Sequence, residues 1–537
     1  MFAVVSGLLC LEPTDSFLSS PLTKSMSAAG SGQRQGFRLT RCRRVGGGIE
    51  MSGAVQDTTT ESVAQSTHDS GNSDVKPLVV TPRRDPKIWF DLIRTGAAPR
   101  PKTLVDLSKE GEVQLETVAL PNRKQEPYRY TDLESLYRTD FAPAPASGAS
   151  AEAAKKSAIE PYLLEASKGQ QMVFVNGVFD AALSDLSALG GVEGLVAGHL
   201  GSMEGAQLDQ AKEMLSFLPE IDGDHRTTQG SLPFCSLNQA CFTDAAVIAV
   251  GDGMQVEKPI QVVFFSDGLE FPTVNHPRMV VKLGNDAHLS LVQNHISRGG
   301  ICLANGFTRI LVGHRANLNH DYLEELEDAD RMVDTISVDQ TVNSTYSMNQ
   351  VLLGGFDTRA NVQVDLLESG AHCNVYGAAV TTNNQRQDIH STIRHKAHGT
   401  TCVQEQRNIV ADKADCVFKG RIVIDQIAQK TDAQQLCRTL MVSDKARVTV
   451  MPSMEIIAND VKCTHGATVA DLEEEELFYL MTRGISKLQA KTLMIKSFAD
   501  VVVERFEDKS LRERITPKLL AAAPREDRAV KGQFRSI

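Results

Sequence analysis

From about residue 255 to 465 the chain repeats short alternating apolar runs roughly every 10–13 residues, among them Ile260-Gln261-Val262-Val263, Met279-Val280-Val281, His288-Leu289-Ser290-Leu291, Ile310-Leu311-Val312 and Ile422-Val423-Ile424. A period of two places alternate side chains on one face of a strand, and runs this short between turns read as strands. Strands at such even spacing leave two architectures, a sandwich or a solenoid. A second regularity separates them: a turn, an alanine, one variable residue and alternating apolar positions recur at Ala287, Ala316, Ala360, Ala414 and Ala446. A small residue entering each rung at an interior corner suits stacked coils, so a mainly β fold with a parallel β-helix core over 255–468 is predicted.

The flanks differ from this core. Residues 76–254 read as a mixed, partly helical domain. Trp89-Phe90-Asp91-Leu92-Ile93 is its first apolar segment, and Tyr130 to Phe141 forms a short helix. Ala142 to Gly148 is a low-complexity linker or surface loop, and Met172 to Phe179 is a hairpin turning at Asn176-Gly177. Helical spacing covers Leu208–Leu218 and Phe234–Val250. Residues 469–537 read as a helical domain. Asp471 to Glu476 sets five acidic residues before Leu477-Phe478-Tyr479-Leu480-Met481, favourable at a helix N-terminus, and Gly484 breaks that helix. A second helix starts at the N-cap Ser486, with an apolar stripe of Leu488, Leu493, Phe498, Val501, Val502 and Phe506.

Residues 1–48 hold six basic residues, Lys24, Arg34, Arg38, Arg41, Arg43 and Arg44, against Glu12 and Asp15, in a Ser, Thr and Gly background. That is transit-peptide composition; residues 49–75 follow as a polar, disordered linker. The formal net charge of −11 argues against a nucleic-acid partner, and no run approaches the roughly 18 apolar residues of a membrane span. Ten cysteines without a Cys-x-x-Cys pair read as reduced thiols. No Gly-x-x-x-x-Gly-Lys-Ser/Thr loop is present, so this chain binds no nucleotide of the P-loop kind.

Chemistry concentrates late in the chain. Within Val461-Lys462-Cys463-Thr464-His465-Gly466-Ala467-Thr468, a thiol and an imidazole stand two residues apart, on one face of an extended strand. Both suit iron, copper or zinc, whereas burial of Cys463 as a small hydrophobe is the plain alternative. Cys373, Cys402, Cys416 and Cys437 stand beside apolar residues and are expected to pack inside. His390, His395 and His398 are expected at the surface or in turns, with the first two on opposite strand faces. Glu324-Glu325-Leu326-Glu327-Asp328 reads as a solvated loop.

The succession Phe418-Lys419-Gly420-Arg421-Ile422, Gln429-Lys430-Thr431-Asp432-Ala433-Gln434-Gln435, Met451-Pro452 through Glu455-Ile456, and Asn459 through Thr468 resembles the SufB/SufD family of iron–sulfur cluster assembly proteins. Leu477-Phe478-Tyr479-Leu480 and Arg483-Gly484-Ile485 match its C-terminal region, and Cys-Thr-His-Gly-Ala-Thr looks like the SufD branch. The likeness covers roughly 160–506. It implies a right-handed parallel β-helix between helical domains, and a non-catalytic scaffold subunit that pairs with SufB through the β-helix. Its C-terminal helices would dock the ATPase SufC, with Leu477, Phe478, Tyr479, Arg483, Gly484 and Phe498 in that region. The resemblance further implies a role for His465, and for Cys463 beside it, in a transient iron–sulfur cluster shared with SufB, and in eukaryotes a plastid stroma location, mitochondrial import being the alternative. Two rival readings stand: a carbohydrate-active enzyme on a β-helix, for which no coherent carboxylate set is visible, and a SufB-like protein that builds the cluster on its own thiols.

Overall fold

The computed structural model describes residues 85–98, 101–131, 133–148, 150–219 and 230–523. The transit peptide and linker expected over 1–75 lie outside the described residues. The core is a parallel β-solenoid of about eight turns. Successive strands alternate between two sheets. One runs Arg278–Leu283, Cys302–Val312, Arg331–Gln340, Asp357–Leu366, Arg386–His395, Asp415–Ile424 and Arg447–Ile456; the other runs Ile260–Asp267, His288–Arg298, Asn317–Glu325, Thr345–Leu353, His372–Thr381, Thr401–Val410, Asp432–Met441 and Lys462–Asp471.

Stacking in register explains why the apolar alternation persists. Val281, Ile310, Val338, Val364, Ile393, Ile422 and Met454 form one inward column across seven strands. Each buried aliphatic side chain of this size contributes about 1.5–3 kcal/mol. The corners follow the alanine rule. Asp286 and Arg315 turn the chain at φ 56° and 55°, and the next residues, Ala287 and Ala316, enter the next rung fully buried. A larger side chain at that corner would meet the rung beneath it. Ala360 departs from this rule, since it lies inside a strand.

Helices flank the solenoid. The N-terminal set is α1 (Pro86–Gly96), α2 (Val105–Thr117), α3 (Glu134–Tyr137), α4 (Glu152–Ile159), α5 (Gly205–Leu215) and α6 (Leu232–Cys241). Gln171–Val175 and Val178–Phe179 form the expected hairpin, with Asn176 and Gly177 both at positive φ. Two expectations are corrected here. The helix read over Phe234–Val250 ends at Cys241, and Ala246–Val250 is a strand, because Val247, Ile248 and Val250 favour a pleated, buried position beside Arg278–Leu283. Ala142–Gly148 is no free linker: Ala142 and Pro143 pair with Thr273 and Val274.

At the other end stand α7 (Glu474–Thr482), α8 (Lys487–Val503) and α9 (Lys509–Leu519). Glu474, Glu475 and Glu476 fill the first turn of α7, Gly484 follows at φ 85°, and Ser486 caps α8 in a reciprocal box with Gln489. The buried residues of α8 are Ala490, Ile495, Ala499, Val502 and Val503, and the last four pack on Leu323, Val351, Ala378, Ile409 and Leu440 of the solenoid. Leu493 and Val501, expected in that stripe, face solvent instead. Smaller alanines let the helix approach the sheet on the neighbouring face.

Candidate functional site

Strand Lys462–Asp471 pairs with Asp432–Met441, setting Cys463 beside Ala433 and His465 beside Gln435. Ala433 and Gln435 are buried and point inward, so Cys463 and His465 share the inward face of the last described rung. Cys463 packs against the solenoid core while half-buried; His465 is exposed. Burial, helped by the Asp432 carboxylate, holds the Cys463 thiol above its ordinary pKa.

Register extends the thiol into the interior. Tyr346, Cys373, Cys402, Ala433 and Cys463 form one column along the solenoid. Cys373, Cys402, Cys416 and Cys437 are buried in the core, as the sequence implied. Burial pushes Cys402 and Cys437 up to about 12 and Cys373 and Cys416 upward as well. A parallel column, Gln404, Gln435 and His465, is polar: Gln435 donates to Gln404 at 2.8 Å, and Gln404 donates to Ser391 at 2.6 Å.

Sequence reasoning missed His395. It is fully buried, not in a turn, with Nε2 3.2 Å from Cys402 Sγ and Nδ1 2.8 Å from Thr400 Oγ1. Thr400 donates onward to the Ala397 carbonyl, so its oxygen accepts from Nδ1–H and leaves Nε2 to accept the Cys402 thiol proton. Burial holds His395 down to about 4, so the ring is neutral. His390 is also buried, on the opposite strand face as its five-residue offset required. There it meets Asp388, which takes hydrogen bonds from Arg359 and Thr131. Burial would raise the Asp388 carboxyl, but His390, Arg359 and these hydrogen bonds outweigh it and hold it below the usual range. For His395, two residues after Ile393 and on the same face as Ile389, a polar residue at an apolar alternate position was the available signal; His390 alternates with Asp388 and Thr392 and offered none.

The acidic run is corrected likewise. Glu324 and Glu325 are buried on opposite faces of strand Asn317–Glu325. Of the residues expected to dock a partner, Leu477 is buried, whereas Phe478 is 67% and Tyr479 58% exposed. Arg483 lies over the Tyr479 ring, Gly484 is exposed, and Phe498 is half-buried under Arg407. Among the described residues no group of three or more His, Cys, Asp or Glu is arranged to hold a metal ion. Cys463 and His465 can therefore supply two donors of a soft-metal site, not a whole one.

The SufBD core domain of the SUF iron–sulfur cluster assembly system matches residues 264–498, and the SufBD N-terminal region matches 98–262. This chain belongs to the SufB/SufD family of iron–sulfur cluster assembly proteins. Within that family it is of the SufD type. It is 27% identical over 410 residues to the iron–sulfur cluster assembly protein SufD of Escherichia coli, covering 76% of this chain and 90% of that protein. A chloroplastic protein of Arabidopsis thaliana, ABCI7, is 30% identical over 405 residues, covering 73% and 81%, and a SufBD family protein of Synechocystis is 29% identical over 411, covering 75% and 87%.

Proposed function

We propose that this chain is a non-catalytic scaffold subunit of a SUF assembly complex, placed in the plastid, which joins a SufB partner at its open solenoid end and a SufC ATPase at its C-terminal helices. The observation that carries the reading is the last rung. Among the described residues, strands Arg447–Ile456 and Lys462–Asp471 each pair on one side only, leaving backbone donors and acceptors for another chain. Val469, Ile456 and Ile457 are exposed along that end, an apolar rim that suits a permanent partner.

Cys463 and His465 sit on this rung and open toward the partner. A transient iron–sulfur cluster would be cargo there, held by the thiolate and imidazole here and by further ligands from SufB. Exposed Phe478, Tyr479, Met481 and Leu493 offer a helix surface for SufC, and ATP hydrolysis belongs to that subunit. The similarity to a chloroplastic protein and the basic, Ser-rich residues 1–48 support import into the plastid.

The test is co-expression with SufB and SufC, comparing wild type with His465→Ala. The expected result is an intact complex whose cluster yield falls at least fivefold. Unchanged yield in an intact complex would remove His465 from the site. Stable cluster on the isolated chain, reconstituted anaerobically with iron and sulfide, would favour the self-sufficient SufB-like role.

A further inference from the structure

The solenoid interior carries a second concentration of polar groups, several rungs from Cys463. Tyr322, Glu324 and Asp334 face inward and are at most 2% exposed. Both carboxylate oxygens of Glu324, both of Asp334 and the Tyr322 phenol lack a well-formed hydrogen bond, although the Thr358 hydroxyl lies beside Glu324 and the Tyr322 phenol beside Asp334. Gly306 stands in register with Asp334, and a β-carbon there would collide with Asp334 Oδ1. The backbone thus leaves room for this carboxylate.

Among the described residues, no charged group neutralises the pair. His295 Nε2 is 3.8 Å from Asp334 Oδ2 but already meets Gln293 Nε2 at 2.8 Å, and burial holds its ring down to about 3, so it is neutral. Burial acts on both carboxyls, the Asp334 charge acts on Glu324, and the only other groups acting on them are neutral: the Thr358 and Tyr322 hydroxyls and the Thr335 amide. Uncompensated buried carboxyls are costly, and the core cluster along the solenoid offers them only apolar packing. An all-oxygen set of two carboxylates and two hydroxyls is what a hard divalent cation takes, with water completing its shell.

We propose that Glu324 and Asp334 are the anionic ligands of a hard divalent cation held inside the solenoid, with the Thr358 and Tyr322 hydroxyls beside it. The inference does not rest on the role assigned to Cys463 and His465. It is tested with Mn²⁺ on the metal-stripped full chain, counting free ion by electron paramagnetic resonance and following the melting temperature. One Mn²⁺ per chain and a raised melting temperature are expected. Glu324→Gln and Asp334→Asn should each weaken binding at least tenfold, while Cys463→Ser/His465→Ala binds as wild type does. Glutamine and asparagine keep the side-chain volume and remove an uncompensated charge, so both variants should fold. No binding at millimolar Mn²⁺, equal binding by Glu324→Gln and Asp334→Asn, or loss of binding in the Cys463/His465 variant would each overturn the proposal.

Discussion

Glu324 and Glu325 are neighbours on one strand and answer to opposite environments. Glu324 enters the solenoid with no counter-charge among the described residues, whereas Glu325, on the outer face, takes hydrogen bonds from Arg514 at 2.9 Å and Lys518 at 2.5 Å. Period two alone separates them. The same carboxylate chemistry therefore yields one strained interior group and one clamp for α9.

Removing the clamp should loosen the C-terminal end. In Glu325→Gln, Arg514 and Lys518 lose a buried anion; Lys518 is partly exposed and rehydrates, so the expected cost is on the order of 2 kcal/mol. Hydrogen exchange should rise across 509–523 before it rises in the solenoid strands. Unchanged exchange in α9 would show that its apolar face alone, Leu511, Ile515 and Leu519, fixes it.

Glu324 predicts the opposite sign. Burial, then the Asp334 charge, raises its carboxyl to about 8. A raised folded-state pKa gives stability that is fully present below the unfolded value near 4.5 and is lost as pH climbs toward 8, at about 1.4 kcal/mol per pH unit for one proton. In chelator, Glu324→Gln should therefore gain stability over wild type progressively from pH 5.5 to 8. Urea midpoints at three pH values measure this. A difference that stays flat with pH means Glu324 does not carry the proton.

These two residues also mark where the sequence was legible. Alternation, the corner alanines and the 418–485 motifs revealed the solenoid, its helical ends and the strand bearing Cys463 and His465, because each is a local pattern. The fate of Glu324, His390 and His395 was hidden, since it depends on which rung lies above and which helix lies outside. His395 is buried because its ring meets Thr400 and Cys402 across the turn into the next strand, a fold-back that alternation within one strand does not show. Likewise Val501 and Leu493 fit a helical stripe but turned outward, because α8 settled on its alanines.

The thiols of the solenoid predict graded reactivity. Cys463, at the open rung, is half-buried, while Cys373, Cys402, Cys416 and Cys437 are buried with thiols held in the protonated form. Only thiolate attacks iodoacetamide. Peptide mapping after brief alkylation of the isolated native chain should find Cys463 modified at least tenfold faster than these four. Binding of SufB should then protect Cys463; equal labelling of Cys402 would mean the solenoid interior opens readily.

The α7 surface supplies the last prediction. Phe478 and Tyr479 project from a helix of which only Leu477 is buried, so they contribute little to this chain's own stability. Phe478→Glu should accordingly leave the melting temperature within about 1 °C, as expected for a surface change of under roughly 0.5 kcal/mol. Partner docking is different. An aromatic anchor seated in a groove commonly carries 2 kcal/mol or more, and a buried charge adds a desolvation penalty, so affinity for SufC should fall at least about thirtyfold. Leu477→Ala is the contrasting change: it removes a packed side chain, so it should lower the stability of α7 as well as SufC binding. Calorimetric titration of SufC against the two variants distinguishes a docking surface from a merely exposed one. Full SufC affinity in Phe478→Glu would place the ATPase elsewhere on the chain.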